Sequence, residues 1–210
     1  MEEKTRMLLD AGELLPLMES FYSIQGEGYH SGKPAYFLRL AGCDVKCKWC
    51  DVKDSWSISP DQYQDVNKIV NKIDKVSSEI IVITGGEPLH HNLSNLTSAL
   101  RKIGKKIHLE TSGTEPLTGE FDWVCLSPKQ NKKPLDDFFE IANELKIVIY
   151  RKNDFLWAER NASKINKKAE LILQPEWSME KRMNPEIIKF IKLNPKWRIS
   201  LQTHKYLDVD

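Results

Sequence analysis

Short apolar runs alternate with helical patterns along almost the whole chain, and this alternation restricts the fold more than any other feature. Residues 35–41 (AYFLRLA), 79–84 (EIIVIT), 106–111, 123–127, 146–150, 170–174 and 198–202 read as strands. Between them, Tyr63, Val66, Ile69, Val70 and Ile73 fall on one helical face, and Leu93, Leu96, Leu100 and Ile103 on another that ends near Gly104. Residues 136–144, 154–165 and 185–193 also read as helices. Ser59, Pro60 and Gln62 have the form of a helix start: an N-cap, a proline at the first position and the closing residue of a capping box. Such alternation predicts an α/β fold on a mainly parallel sheet. The polar residues then collect at strand ends: Cys43, 84–88, 110–113, 127–129 and 174–177. Ligands bind at the carboxyl edge of parallel sheets, so these segments predict one shared site. Residues 122–134 read as looser, with few periodic apolar positions after Ser127.

The chain of 210 residues fits a single domain over 1–210. A net charge of +1 gives no electrostatic case for nucleic acid or a membrane surface. The first six residues are mostly charged, so no signal region is expected, and no apolar run approaches spanning length. A cytoplasmic protein with reduced cysteines is the expectation.

Cys43, Cys47 and Cys50 lie in AGCDVKCKWCD with the spacing C-x3-C-x2-C. Buried small hydrophobes are the plainest reading of cysteines, but Asp44, Lys46, Lys48 and Asp51 surround these three. A closed structural zinc site needs four ligands, so a zinc knuckle would need His30 or a more distant histidine. An iron–sulfur electron carrier usually has four cysteines. Three on a four-iron cluster leave one iron open. Cys125, in the apolar run WVCL, reads as core. Thr84-Gly85-Gly86-Glu87-Pro88 ends another strand; alone, it is equally a plain strand-to-helix turn.

Together the cysteine loop and the GGEP segment resemble the radical S-adenosylmethionine superfamily. Phe21-Tyr22-Ser23-Ile24-Gln25-Gly26-Glu27-Gly28, followed by AYFLRLAGCDVKCKWCDVKDSW, is very similar to the 7-carboxy-7-deazaguanine synthases of that superfamily. The similarity continues through ETSGT at 110–114, SPK at 127–129, LQP at 173–175 and LQTHKYL at 201–207. It implies a reduced, partial TIM-like (β/α) barrel of the radical S-adenosylmethionine type. It implies that Cys43, Cys47 and Cys50 hold a [4Fe–4S] cluster. Contacts to S-adenosylmethionine would come from Trp49, Cys50, Asp51, Gly85, Gly86, Glu87, Ser127, Pro128, Lys129, Gln174, Pro175, Glu176 and Trp177. Substrate contacts would come from Ile24, Gln25, Gly26, Arg39, Thr84 and Asp210. A guanidinium fork at Arg39 suits a substrate carboxylate; its plain reading is a salt bridge.

The implied reaction converts 6-carboxy-5,6,7,8-tetrahydropterin to 7-carboxy-7-deazaguanine with loss of ammonia, through a 5′-deoxyadenosyl radical that recovers its hydrogen. No conventional catalytic triad is expected of His90, His91, His108 or His204. The resemblance further implies Mg²⁺, a flavodoxin- or ferredoxin-like electron donor and a homodimer. One position departs from the family: Val52 stands where threonine is common. Valine has no oxygen for a cation that wants oxygen ligands, so Mg²⁺ would be held by substrate, water or Asp54, or be dispensable. Two other readings are an activating enzyme that places a radical on a partner protein, and a zinc-binding interaction module.

Overall fold

The structure, a computed structural model, describes residues 3–209; the expected substrate contact Asp210 lies outside them. Among the described residues, nine strands form one sheet: β1 (Leu14–Ile24), β2 (Pro34–Leu40), β3 (Tyr63–Asp65), β4 (Ile80–Gly85), β5 (Lys106–Thr111), β6 (Trp123–Leu126), β7 (Glu144–Ile149), β8 (Glu170–Pro175) and β9 (Trp197–Ile199). Their order is β3-β1-β2-β4-β5-β6-β7-β8-β9. β1 runs antiparallel to β2 and β3, and every other pairing is parallel. From β4 onward, spatial order follows chain order without reversal. Right-handed crossovers in such an order all fall on one face, and the twisted sheet curls around the other. β3 and β9 end the order without meeting, which makes this a partial TIM-like barrel.

The helices are α1 (Glu3–Asp10), α2 (Val66–Ile73), α3 (Ser94–Lys102), α4 (Asp137–Ile141), α5 (Asp154–Ala162), α6 (Glu180–Leu193) and α7 (Thr203–Leu207). The core lies between them and the sheet. β4 buries Ile81, Val82 and Ile83 completely, as expected of a parallel strand covered on both faces. α2 buries Val66, Ile69 and Ile73 at helical spacing, and α3 buries Leu96 and Leu100.

Several boundaries differ from the sequence reading. The Ser59 capping box forms, with Gln62 Oε1 accepting from the Ser59 N–H at 2.9 Å, but it opens only one 3-10 turn. Residues 63–65 then pair with 14–16 as β3, and α2 starts at Val66, capped by the Asp65 carboxylate on the Asn67 and Lys68 N–H groups. Strand pairing thus overrides local helix preference. The helix expected over 136–144 stops at Ile141, because Glu144 opens β7 between Cys125 and Glu170. α5 ends at Ala162, short of Ile165. α6 begins at Glu180 and carries Pro185 in its interior. The strand expected over 123–127 forms as β6 over Trp123–Leu126, and the looser part of 122–134 begins after it.

Candidate active site

A β-bulge in β1 sets the first wall of the site. The β1/β2 register shifts between Leu17 and Glu19, which puts Glu19 opposite Arg39. Arg39 Nε donates to Glu19 Oε1 at 2.5 Å. One strand over, Arg39 is in register with Thr84 of β4, so the two expected substrate contacts lie side by side.

β2 ends at Leu40, and the cysteine loop follows. The three thiols are free and half-buried. Gly42 N–H bonds the Ser55 carbonyl at 2.7 Å, and Cys43 N–H the Trp56 carbonyl at 3.2 Å. The Gly-Gly turn after β4 packs directly on this loop. Gly86 N–H donates to the Leu40 carbonyl and Glu87 N–H to the Gly42 carbonyl, both at 2.9 Å. A Cβ on Gly86 would sit 2.8 Å from the Cys43 Cβ, closer than real carbons approach. Both glycines are therefore required by the close approach of two backbones.

Glu87 is almost fully buried. Its Oε1 accepts from Thr111 Oγ1 at 2.6 Å and from Leu89 N–H at 3.2 Å; its Oε2 accepts from Ser112 N–H at 2.8 Å and Ser112 Oγ at 2.5 Å. The carboxylate thus ties the Gly-Gly turn to the end of β5.

Strand ends β2, β4, β5, β6, β7 and β8, with the turn after β1, enclose a cavity of about 300 Å³. Cys43, Cys47 and Cys50 share its wall with Trp49, Asp51, Gly85, Gly86, Glu87, Ser127, Lys129, Gln174, Pro175, Glu176 and Trp177, and with Ile24, Gln25, Gly26, Arg39 and Thr84. Pro128 is buried between two lining residues but does not reach the wall.

The donor set suits a multi-iron cluster better than one zinc ion. Burial pushes the Cys47 thiol up; Lys129 pulls it down, and Cys50 and Cys43 push it up again. A cationic centre would relieve the opposition that Cys47 meets. Among the described residues only Asp44, His90 and Glu115 present three ligand atoms within 4.8 Å of one another. The thiols are spread more widely than thiolates on a single zinc, which sit about 2.3 Å from the metal. A Mg²⁺ site is not furnished at position 52: Val52 turns an apolar side chain to the cavity, and the neighbouring Asp51 Oδ2 already accepts from Gln202 and Lys205, each at 3.2 Å.

Sequence reasoning missed the charged centre of the barrel. Lys146 of β7 is buried and bonds Glu27 Oε2 at 2.7 Å and Glu110 Oε2 at 2.9 Å. Burial lowers the pKa of Lys146, but Glu110 and Glu27 outweigh it and hold the group well above the ordinary lysine range. Burial would raise Glu27; the Lys146 charge and hydrogen bonds from Lys146, Gln202 and Gln174 instead bring it down to about 2. Gln202 spans both sides of the cavity, from Glu27 Oε1 at 2.7 Å to Asp51. One cue was available: ELKIVI places a lysine inside an otherwise apolar strand.

Known proteins resemble this chain over nearly its whole length. The Radical SAM superfamily model matches residues 38–125. A 7-carboxy-7-deazaguanine synthase of Flavobacterium psychrophilum is 50% identical over 207 residues, covering 99% of this chain and 98% of its own. The chain belongs to the 7-carboxy-7-deazaguanine synthase family. A synthase of Synechocystis sp. is 48% identical over 92% of this chain and 93% of its own. The crystal structure of QueE from Escherichia coli superposes with a TM-score of 0.84 at 30% identity, covering 97% of this chain and all of that one. The radical S-adenosylmethionine membership of the synthase family implies an iron–sulfur cluster and S-adenosylmethionine, and the three-thiol wall fits that pair. Among the described residues no helix is long and apolar enough to cross a membrane.

Proposed function

We propose that this chain converts 6-carboxytetrahydropterin to 7-carboxy-7-deazaguanine with loss of ammonia. The observation that supports this reading best is convergence: the cysteine loop, the Gly-Gly turn, Arg39 and the turn at Ile24–Gly26 all face one cavity. When bound, the cluster and S-adenosylmethionine supply a one-electron reductive cleavage that yields a hydrogen-abstracting radical; the chain supplies placement and exclusion of water. Cys43, Cys47 and Cys50 hold the cluster. The Gly85-Gly86 backbone, Ser127, Lys129 and the 174–177 turn surround S-adenosylmethionine. Arg39, paired with Glu19 through Nε, turns its guanidinium toward a substrate carboxylate. Glu27, held ionised by Lys146, and Glu110, bonded to the same ammonium, offer acceptors to the hydrogen-bond donors of a pterin ring. We take Mg²⁺ to be dispensable, because the Val52 side chain offers it no oxygen, the Val52 carbonyl already accepts from Ser55, and Asp51 already accepts from Gln202 and Lys205. The electron comes from a flavodoxin- or ferredoxin-like protein, and the active species is a homodimer.

The test is anaerobic reconstitution followed by incubation with dithionite, S-adenosylmethionine and 6-carboxytetrahydropterin. Mass spectrometry detecting 7-carboxy-7-deazaguanine is the expected result. Cleavage of S-adenosylmethionine to 5′-deoxyadenosine without that product would keep the radical chemistry and overturn the substrate.

A further inference from the structure

The loop between β6 and α4 grips the cysteine loop at several points. Asn131 Nδ2 donates to the Val45 carbonyl. Lys132 Nζ donates to Asp44 Oδ2 and to Glu115 Oε1, each at 2.7 Å. His90 Nε2 lies 3.1 Å from Asp44 Oδ1. Two residues before Asn131, the Lys129 ammonium, bonded to Ser127 Oγ at 2.5 Å, sits 5.5 Å from the centre of the Trp49 ring.

The cysteine loop needs such support. Lys46, between Cys43 and Cys47, has a φ of +46°, a left-handed conformation that side chains other than glycine disfavour. The two residues before it are the ones gripped, Asp44 through its carboxylate and Val45 through its carbonyl. The carboxylates of Asp44 and Glu115 with His90 also have the spacing of a cation site. The Lys132 ammonium, bonded to both carboxylates, already meets that charge.

We infer that Asn131 and Lys132 are positioning residues that clasp the Asp44–Val45 segment, so that the three thiols and the Ser127–Lys129 segment keep one geometry around bound S-adenosylmethionine. This rests on the proposed roles of those two segments. An isolated exposed ion pair contributes little to stability. Lys132 is half-exposed and joins two loops rather than core elements, so the clasp shows mainly in how the site binds S-adenosylmethionine.

The experiment compares reconstituted wild type with Lys132→Met, Asn131→Ala, Lys132→Arg, Asp44→Asn and the Lys132→Met/Asp44→Asn pair. It reads iron per chain, the electron paramagnetic resonance spectrum of the reduced cluster with and without S-adenosylmethionine, melting temperature, and kcat and KM for S-adenosylmethionine in product formation. In Lys132→Met and Asn131→Ala, KM for S-adenosylmethionine should rise about three- to tenfold while kcat changes less than about twofold. Lys132→Arg should restore KM, and Asp44→Asn should add nothing to Lys132→Met. Loss of iron at an unchanged melting temperature is the same result in stronger form. Unchanged KM and an unchanged spectral response in both Lys132→Met and Asn131→Ala would overturn the clasp while wild type still binds the cluster. Wild type that retains no iron would overturn the underlying site reading, and the clasp with it.

Discussion

Lys146 Nζ lies 2.7 Å from Glu27 Oε2, so a buried ammonium on β7 anchors the turn that follows β1 on the far side of the barrel. Glu110 of β5 completes the arrangement at 2.9 Å. Removing one partner of a buried ion pair leaves the others without compensation, at a cost of about 3–5 kcal/mol. Lys146→Met should lower stability by that order and abolish product formation. Glu27→Gln added to Lys146→Met should recover part of the stability, because one of the stranded carboxylates is gone. Urea unfolding of the two single variants and the double tests this, and strictly additive losses would count against the coupling.

Cys47→Ala should abolish cleavage of S-adenosylmethionine and lower bound iron while leaving the fold largely intact. The thiol is half-buried on a cavity wall rather than in the core, so little packing is lost. Far-ultraviolet circular dichroism and iron analysis on one preparation check both halves. Retained cleavage would remove Cys47 from the ligand set.

Glu87 separates two roles that the sequence alone merges. Its carboxylate receives four donors, from Thr111, Leu89 and the backbone and side chain of Ser112. In Glu87→Gln the amide NH₂ must face donors, which costs about 1–3 kcal/mol. A fall in melting temperature accompanied by a higher KM for S-adenosylmethionine is expected, since the Gly-Gly turn is displaced. A KM change with no thermal change would instead mark Glu87 as a direct ligand contact.

This distinction shows how the sequence was informative and where it stopped. Strand–helix alternation exposed the parallel sheet, because buried strands such as IIVI have no other use for continuous apolar runs. The cysteine spacing and Gly-Gly turn marked strand ends, and those ends do meet. Local pattern could not reveal β3, a three-residue strand held only by pairing with β1. Nor could it reveal α1, which buries none of its residues and so has no core stripe to detect. The Glu27–Lys146–Glu110 centre was equally hidden. Its members are 119 and 36 residues apart in sequence, and only closure of the barrel brings them together.

Val52→Thr should create a Mg²⁺ response that the native chain lacks. Threonine would place a hydroxyl where the valine side chain faces the cavity, and magnesium prefers oxygen ligands. The variant should bind substrate more tightly with Mg²⁺ than without it, measured calorimetrically, whereas the native chain should show the same affinity in both. An equal Mg²⁺ effect in the two proteins would place any metal ligands elsewhere.

His108 should make the fold acid-sensitive. Its ring is buried on β5, 4.6 Å from the ring of His30, whose two nitrogens are buried without a hydrogen-bond partner among the described residues. Burial first, then the nearby charges of His30, Lys33 and Lys106, lower the pKa of His108 from 6.5 to about 4 against the opposing pull of Asp122. The unfolded chain takes up a proton at this residue below about pH 6.5 and the folded chain not until about 4. Within that window the unfolded state binds more protons, so stability falls as pH falls, by about 3 kcal/mol across the full interval. His30, His91 and His204 are lowered as well and add to the slope. His108→Phe keeps a ring in the space and removes one titration, so its urea midpoint should drop less than that of wild type between pH 7 and pH 4.5. Parallel midpoints for the two proteins over that range would mean that His108 is protonated as readily in the fold as in the unfolded chain.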